Sequence, residues 1–143
     1  MSQQSVVYGC IKVTLPGSKP EEVRQRRAVN RQVLTNLPPN DEWPLLSCDM
    51  FSLPSESLEL DVLTSDVLHF GHAYHGIEHE WDQWIERFEA ILRQMYWETA
   101  VVHLETELRG THTFIWVCEE GDHRPDQGHM SVRCEWTREA NVF

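Results

Sequence analysis

The feature that most constrains the fold is a run of apolar residues at helical spacing in the middle of the chain. Ile77, Trp81, Trp84, Ile85, Phe88, Ile91, Leu92, Met95 and Tyr96 recur at offsets of three and four. That spacing draws one wide apolar stripe down a helix over about residues 77–96. Glu78, Glu80, Asp82, Glu86, Glu89 and Arg93 fall mostly on the rest of the wheel, with the acids early and Arg87 and Arg93 later. The helix dipole favours that order. A stripe this wide must be covered by something. The chain beyond the helix is β-prone: residues 99–108 and 111–119 are two β-rich runs around Arg109-Gly110. With a two-residue turn, Leu108 opposes Thr111, Glu107 opposes His112, Glu105 opposes Phe114 and His103 opposes Trp116. On that register Val102, Leu104, Thr106, Leu108, Thr113, Ile115 and Val117 make an aliphatic face for the helices. Val101, His103, Glu105, Glu107, His112, Phe114 and Trp116 make the other face.

The rest of the chain fits around this unit. Residues 6–15 are rich in β-branched side chains and end at Pro16-Gly17, so they read as a strand. Pro20-Glu21-Glu22 opens a helix, with proline in the first turn and acids at the positive end of the dipole. Its apolar stripe is thin, and Pro38-Pro39 stops it. Residues 40–57 are too apolar for a floppy linker and too broken by proline for a long element, so a packed irregular loop with a short helical turn is expected. Residues 59–64 suggest a short strand. Residues 67–74 suggest a longer one, with Val67, His69, Gly71 and Ala73 on one face and Leu68, Phe70, His72 and Tyr74 on the other. Residues 130–136 read as the final strand. The chain of 143 residues is therefore expected to be a single α+β domain, a mainly antiparallel β-sheet with two helices packed on one face.

Charge narrows the function. Between Asp41 and Glu86 there are eleven Asp and Glu residues and no Lys or Arg. Up to Asn40 the chain is mildly basic, six Lys and Arg against two acids. From Asp41 onward 21 acids face six Arg, which brings the whole to −11. Such a field repels nucleic acid and attracts basic partners. The first ten residues, MSQQSVVYGC, do not resemble a signal peptide, and no apolar run reaches membrane-spanning length. The default expectation is a cytoplasmic protein whose cysteines are thiols, with Cys10 and Cys118 buried in strands.

Three groups of residues invite a chemical reading. His69, His72, His75 and His79 are dense enough to suggest zinc or copper. Their period spreads them over both strand faces and into the helix, so no metal site and no cofactor are expected. The hairpin face with His103, Glu105, Glu107 and His112 offers imidazoles and carboxylates for acid–base work. No nucleophile, phosphate loop or oxyanion motif accompanies them. A recognition surface with Phe114 and Trp116 as anchors is the competing reading, and a solvated sheet face is the plain one. The tryptophans Trp81, Trp84 and Trp97 read as core. Arg24, Arg26, Arg27 and Arg31 on the first helix read as partners for acids elsewhere in the chain.

The elements DMFSLP at residues 49–54, HFG at residues 69–71, EWDQWIERFEAILRQMYW and VVHLETEL at residues 101–108 resemble small stand-alone immunity-type proteins of bacterial polymorphic toxin systems. The resemblance spans about half the chain. It implies a cytoplasmic protein that binds and blocks one cognate toxin, and it transfers no functional residue. The bottom-up reading points the same way: an acidic binding protein that sequesters a basic protein partner, such as a nuclease toxin. The residues expected to contact the partner are Glu105, Glu107, His103, His112, Phe114, Trp116, Asp61 and Asp66. Neither nucleic acid nor membrane is expected as a partner. The alternative is a small hydrolase or metal-dependent enzyme using a His/Glu cluster, and an acidic subunit of a larger assembly is a third possibility.

Overall fold

The structure is a computed structural model that describes residues 4–14, 20–37, 46–52, 65–107 and 109–137. Seven main elements run in order: β1 (Gln4–Thr14), α1 (Pro20–Thr35), β2 (Ser65–His75), α2 (Trp81–Arg93), β3 (Thr99–Thr106), β4 (Gly110–Cys118) and β5 (Met130–Thr137). The strands form one antiparallel sheet in the order β2-β1-β3-β4-β5. The expected α+β class therefore holds. The predicted short strand at residues 59–64 lies outside the described residues.

Alternation sorts the sheet into two faces. Val7, Ile11 and Val13 of β1, Leu68, Phe70 and Tyr74 of β2, and Ala100, Val102 and Leu104 of β3 are buried on one side. They join Val23 and Leu34 of α1 and Trp84, Phe88, Ile91 and Leu92 of α2 in a single core. The centre of that core is aromatic. Phe88 packs on Phe70 at 5.5 Å between ring centroids, on Trp84 at 5.1 Å and on Trp116 at 5.0 Å. Trp81 then stacks on Trp84 at 4.8 Å and leans on Phe114 at 5.3 Å. Each such pair adds about 0.5–1.5 kcal/mol beyond area burial. Gly9 makes room for this layer: a Cβ there would lie 1.9 Å from the Val101 carbonyl oxygen and 3.0 Å from the Phe70 ring.

The long amphipathic segment is less continuous than its periodicity predicts. It opens as a 3-10 turn at Ile77–Glu80 behind Gly76, whose φ is 68°, and becomes α-helical only from Trp81. It also stops at Arg93, short of Tyr96. From Tyr96 onward the backbone groups find partners outside the helix. Asn30 of α1, buried, accepts from the Tyr96 N–H at 2.9 Å and donates to its carbonyl at 3.0 Å. Trp97 and His123 exchange two backbone bonds, at 3.2 and 2.7 Å, and their rings stack. Tertiary hydrogen bonds thus outbid one more helical turn.

The apolar loop expected before β2 is partly visible. Leu46, Met50 and Phe51 are buried, Cys48–Met50 forms a 3-10 turn, and Phe51 bridges Phe70 at the outer edge of β2. Ser52 continues the contact, its N–H donating to the His69 carbonyl at 2.8 Å. Arg26 meets Asp122 at 2.9 Å and lies over the Tyr96 ring, which agrees with an α1 whose arginines answer internal acids. The four cysteines are free thiols; Cys118 is buried as expected, whereas Cys10 is only half-buried.

Candidate interaction face

The hairpin that was to supply the site has a different register. Thr106 pairs with Gly110, Glu105 with Thr111, Leu104 with His112 and His103 with Thr113. Residues 107–109 connect the strands, the Arg109 N–H donates to Thr106 Oγ1 at 2.9 Å, and Gly110 takes a φ of 77°. A left-handed glycine closing a three-residue loop is a favoured hairpin design. The register moves by three residues from the two-residue-turn expectation. An odd shift turns every β4 side chain to the opposite face.

The expected binding group is therefore split. His112, Phe114 and Trp116 lie on the helix side. Trp116 is fully buried and its indole N–H donates to Glu89 Oε2 at 2.9 Å. Phe114 leans on Trp81, and His112 is half-buried with its pKa lowered by burial and then by Arg109. These three side chains serve the core, which corrects their place on an exposed polar face. His103 and Glu105 stay on the opposite, open face, and Glu107 is exposed in the turn. Asp61 lies outside the described residues. Asp66 stands in β2 opposite Val13.

No helix covers the open face among the described residues. It carries Val6, Tyr8, Cys10 and Lys12 from β1, and Val67, His69, Ala73 and His75 from β2. From β3 come Val101, His103 and Glu105, and from β4 Thr113, Ile115 and Val117. Tyr8 is 37%, Val67 46% and Val117 42% exposed. A short polar chain crosses its middle. Tyr8 Oη donates to Glu105 Oε1 at 3.2 Å, and the Tyr8 ring lies 4.9 Å from the His103 ring. His103 Nδ1 and Thr113 Oγ1 share a hydrogen bond at 2.8 Å. Three strands thus hold one aromatic, one imidazole and one carboxylate in fixed geometry. Tyr8 was not foreseen because the pairing of β1 with β3 joins residues about a hundred positions apart, and Thr113 because the hairpin register turns it to this face.

At one end of the sheet the acids gather. Gln4 of β1 pairs with His75 of β2, and the chain then turns through Glu78 and Glu80 into Asp82 at the start of α2. Buried Ser5 donates to Glu78 Oε2 at 2.9 Å, and the Gln4 N–H donates to Glu107 Oε1 at 3.4 Å. Part of the acid-rich stretch and the hairpin turn are so brought to the same end of the sheet. Glu80, Asp82 and Glu107 are exposed.

The groups named for catalysis or metal do not converge. His103 and His112 are on opposite faces of the sheet. Among the described residues, concavities of about 560 and 240 Å³ are lined by residues of the 120–129 loop and of the α2 start, without His103, Glu105 or His112. His69 is exposed on the open face and His72 half-buried on the other, as strand alternation predicts. Among the described residues the metal-type ligand atoms that do come together are those of Glu119, Glu120 and His129, all exposed. Glu120 already accepts from the His129 N–H at 2.7 Å, and this bond holds its pKa below the ordinary carboxylate range. The trio reads as a tie across the base of the loop.

Comparison with protein-family models, with curated proteins and with solved structures found no match. No helix of the described residues is long and apolar enough to cross a membrane.

Proposed function

We propose that the protein is an acidic binding protein that sequesters a basic protein partner, and that its role is that of an immunity protein neutralising a cognate bacterial toxin. The observation that carries the reading is the open sheet face. Tyr8, His103, Glu105 and Thr113 form its polar centre, exposed Val67 and Val117 stand towards one end, and exposed acids gather at the other end of the sheet. Aromatic and aliphatic groups beside fixed charges suit the centre of an interface. The acidic end and the formal charge of −11 would speed encounter with a positive surface. The resemblance in sequence supplies the toxin part of the proposal, and the separation of His112 from His103 and Glu105 onto opposite faces of the sheet favours binding over acid–base chemistry.

The test is a pull-down from the source organism with mass spectrometry of what is retained. A basic protein, toxic when expressed alone, is the expected catch. Its association should slow as salt rises, with little change in dissociation. Tyr8→Ala should shorten the complex lifetime about tenfold or more if the ring is an anchor. Glu105→Lys and Glu107→Lys should slow association. Purified protein that turns over a small substrate and loses that activity with His103→Ala would overturn the reading.

A further inference from the structure

The two edges of the sheet differ. The outer edge of β2 is met by the Phe51 bridge, and at His69 by Ser52, whose N–H donates to the His69 carbonyl and whose Oγ accepts from the His69 N–H at 2.8 Å. Nothing among the described residues pairs with the outer edge of β5. Ser131, Val132, Arg133, Cys134 and Glu135 are all exposed, Val132 by 44%. A free edge of this kind is a template for another strand.

The charges on β5 say which strand fits. Met130–Thr137 carries Arg133 and Glu135 and no other charged residue, so it is a neutral strip on a chain of net −11. The two side chains share the open face of the sheet and lie 3.7 Å apart, 72% and 63% exposed. We infer that β5 pairs with β5 of a second copy, antiparallel about a two-fold axis at Cys134. In that register Arg133 of each copy stands opposite Glu135 of the other, twice. An axis one residue earlier on the same face would set Arg133 against Arg133, and one later Glu135 against Glu135. Like charges directly opposed in a sheet repel, and opposite ones attract. The pattern therefore selects one register as well as one partner. The pairing joins two five-stranded sheets into one and leaves both open faces available, so it is independent of the binding role proposed above.

Sedimentation equilibrium of the whole chain, from about 1 to about 100 µM at physiological salt, measures the association, since a small edge contact sits at the weak end of interface affinities. A reversible dimer is expected. Arg133→Glu and Glu135→Arg should each weaken it about tenfold or more, because each opposes like charges twice. The double variant Arg133→Glu/Glu135→Arg should restore it. The axis brings the two Cys134 positions to a cross-strand spacing of about 4.5–5.5 Å, within disulfide reach. Diamide, which accepts the two electrons and two protons released by two thiols, should give a covalent dimer that Cys134→Ser abolishes. A chain that stays monomeric throughout this range, or a dimer indifferent to both single charge reversals, would overturn the inference. The first result would hand the edge to a strand from some other molecule.

Discussion

The two faces of the sheet are built to opposite ends. The covered face is a continuous aromatic and aliphatic layer in which the large rings pack on one another and two buried indole N–H groups find side-chain acceptors. Trp116 donates to Glu89 at 2.9 Å, and Trp84 donates to Tyr74 Oη at 3.1 Å. The open face has a thinner set: three exposed large apolar side chains, Tyr8, Val67 and Val117, and one polar chain that starts at Tyr8. The difference teaches where stability and recognition are separated. Removing a group from the covered side leaves a cavity or an unpaired dipole, while removing one from the open side leaves mostly water in its place.

The largest contrast should come from a matched pair of truncations. Phe88, fully buried among Phe70, Trp84 and Trp116, should cost about 3–5 kcal/mol when changed to Ala, measured by urea unfolding. Val117→Ala on the open face should cost less than about 1 kcal/mol. Comparable losses at the two positions would mean that the open face is covered in solution. Next in size, Glu89→Ala should destabilise by about 1–3 kcal/mol, since it strands the Trp116 N–H in the core. Tyr8→Phe on the other side breaks a hydrogen bond between exposed groups and should cost about 0.5–1 kcal/mol.

Two titrations sharpen the same comparison from the covered side. Burial pushes the Tyr74 phenol up to about 12, against the lowering effect of the Trp84 bond. The folded state then holds that proton more tightly than the unfolded chain. Stability should fall as pH rises from the ordinary tyrosine value near 10 towards 12, and Tyr74→Phe should flatten this decline. His112 is shifted the other way: burial and Arg109 lower its pKa, so the unfolded chain takes up the proton first. Its contribution is complete above the ordinary histidine range and is lost as pH drops below about 6.5. His112→Gln should remove that acid dependence. The smallest effect belongs to the loop beyond β4. The lowered Glu120 carboxyl keeps its tie to the His129 N–H until pH falls below the ordinary carboxylate range, and amide exchange at His129 should quicken there.

Much of the covered face was legible in the chain. The three-and-four spacing of Trp84, Phe88, Ile91 and Leu92 points to one buried helix face, and the alternation through Leu68, Phe70 and Tyr74 points to one buried strand face. Helix ends were less legible, because Asn30 and His123 claim the backbone after Met95 from far away in sequence. The open face was least legible. Its polar chain needs β1 beside β3, a neighbour relation that no local pattern encodes.

What the sequence determines by itself is the kind and order of elements and the sign of the molecule's field, because side-chain periodicity and charge are local or additive. Which side of β4 becomes core is decided only by the tertiary structure. Both of its faces are apolar enough to be buried, one with His112, Phe114 and Trp116 and the other with Thr113, Ile115 and Val117. The turn permits either choice, since Gly110 accepts a positive φ as the end of a three-residue loop as readily as within a shorter one. The fold takes the aromatic side, because Trp81 and Phe88 of α2 are there to meet Phe114 and Trp116 at ring-packing distance. With a side-chain period of two, that single packing decision leaves His103 and Glu105 in the open and takes the two rings away from them.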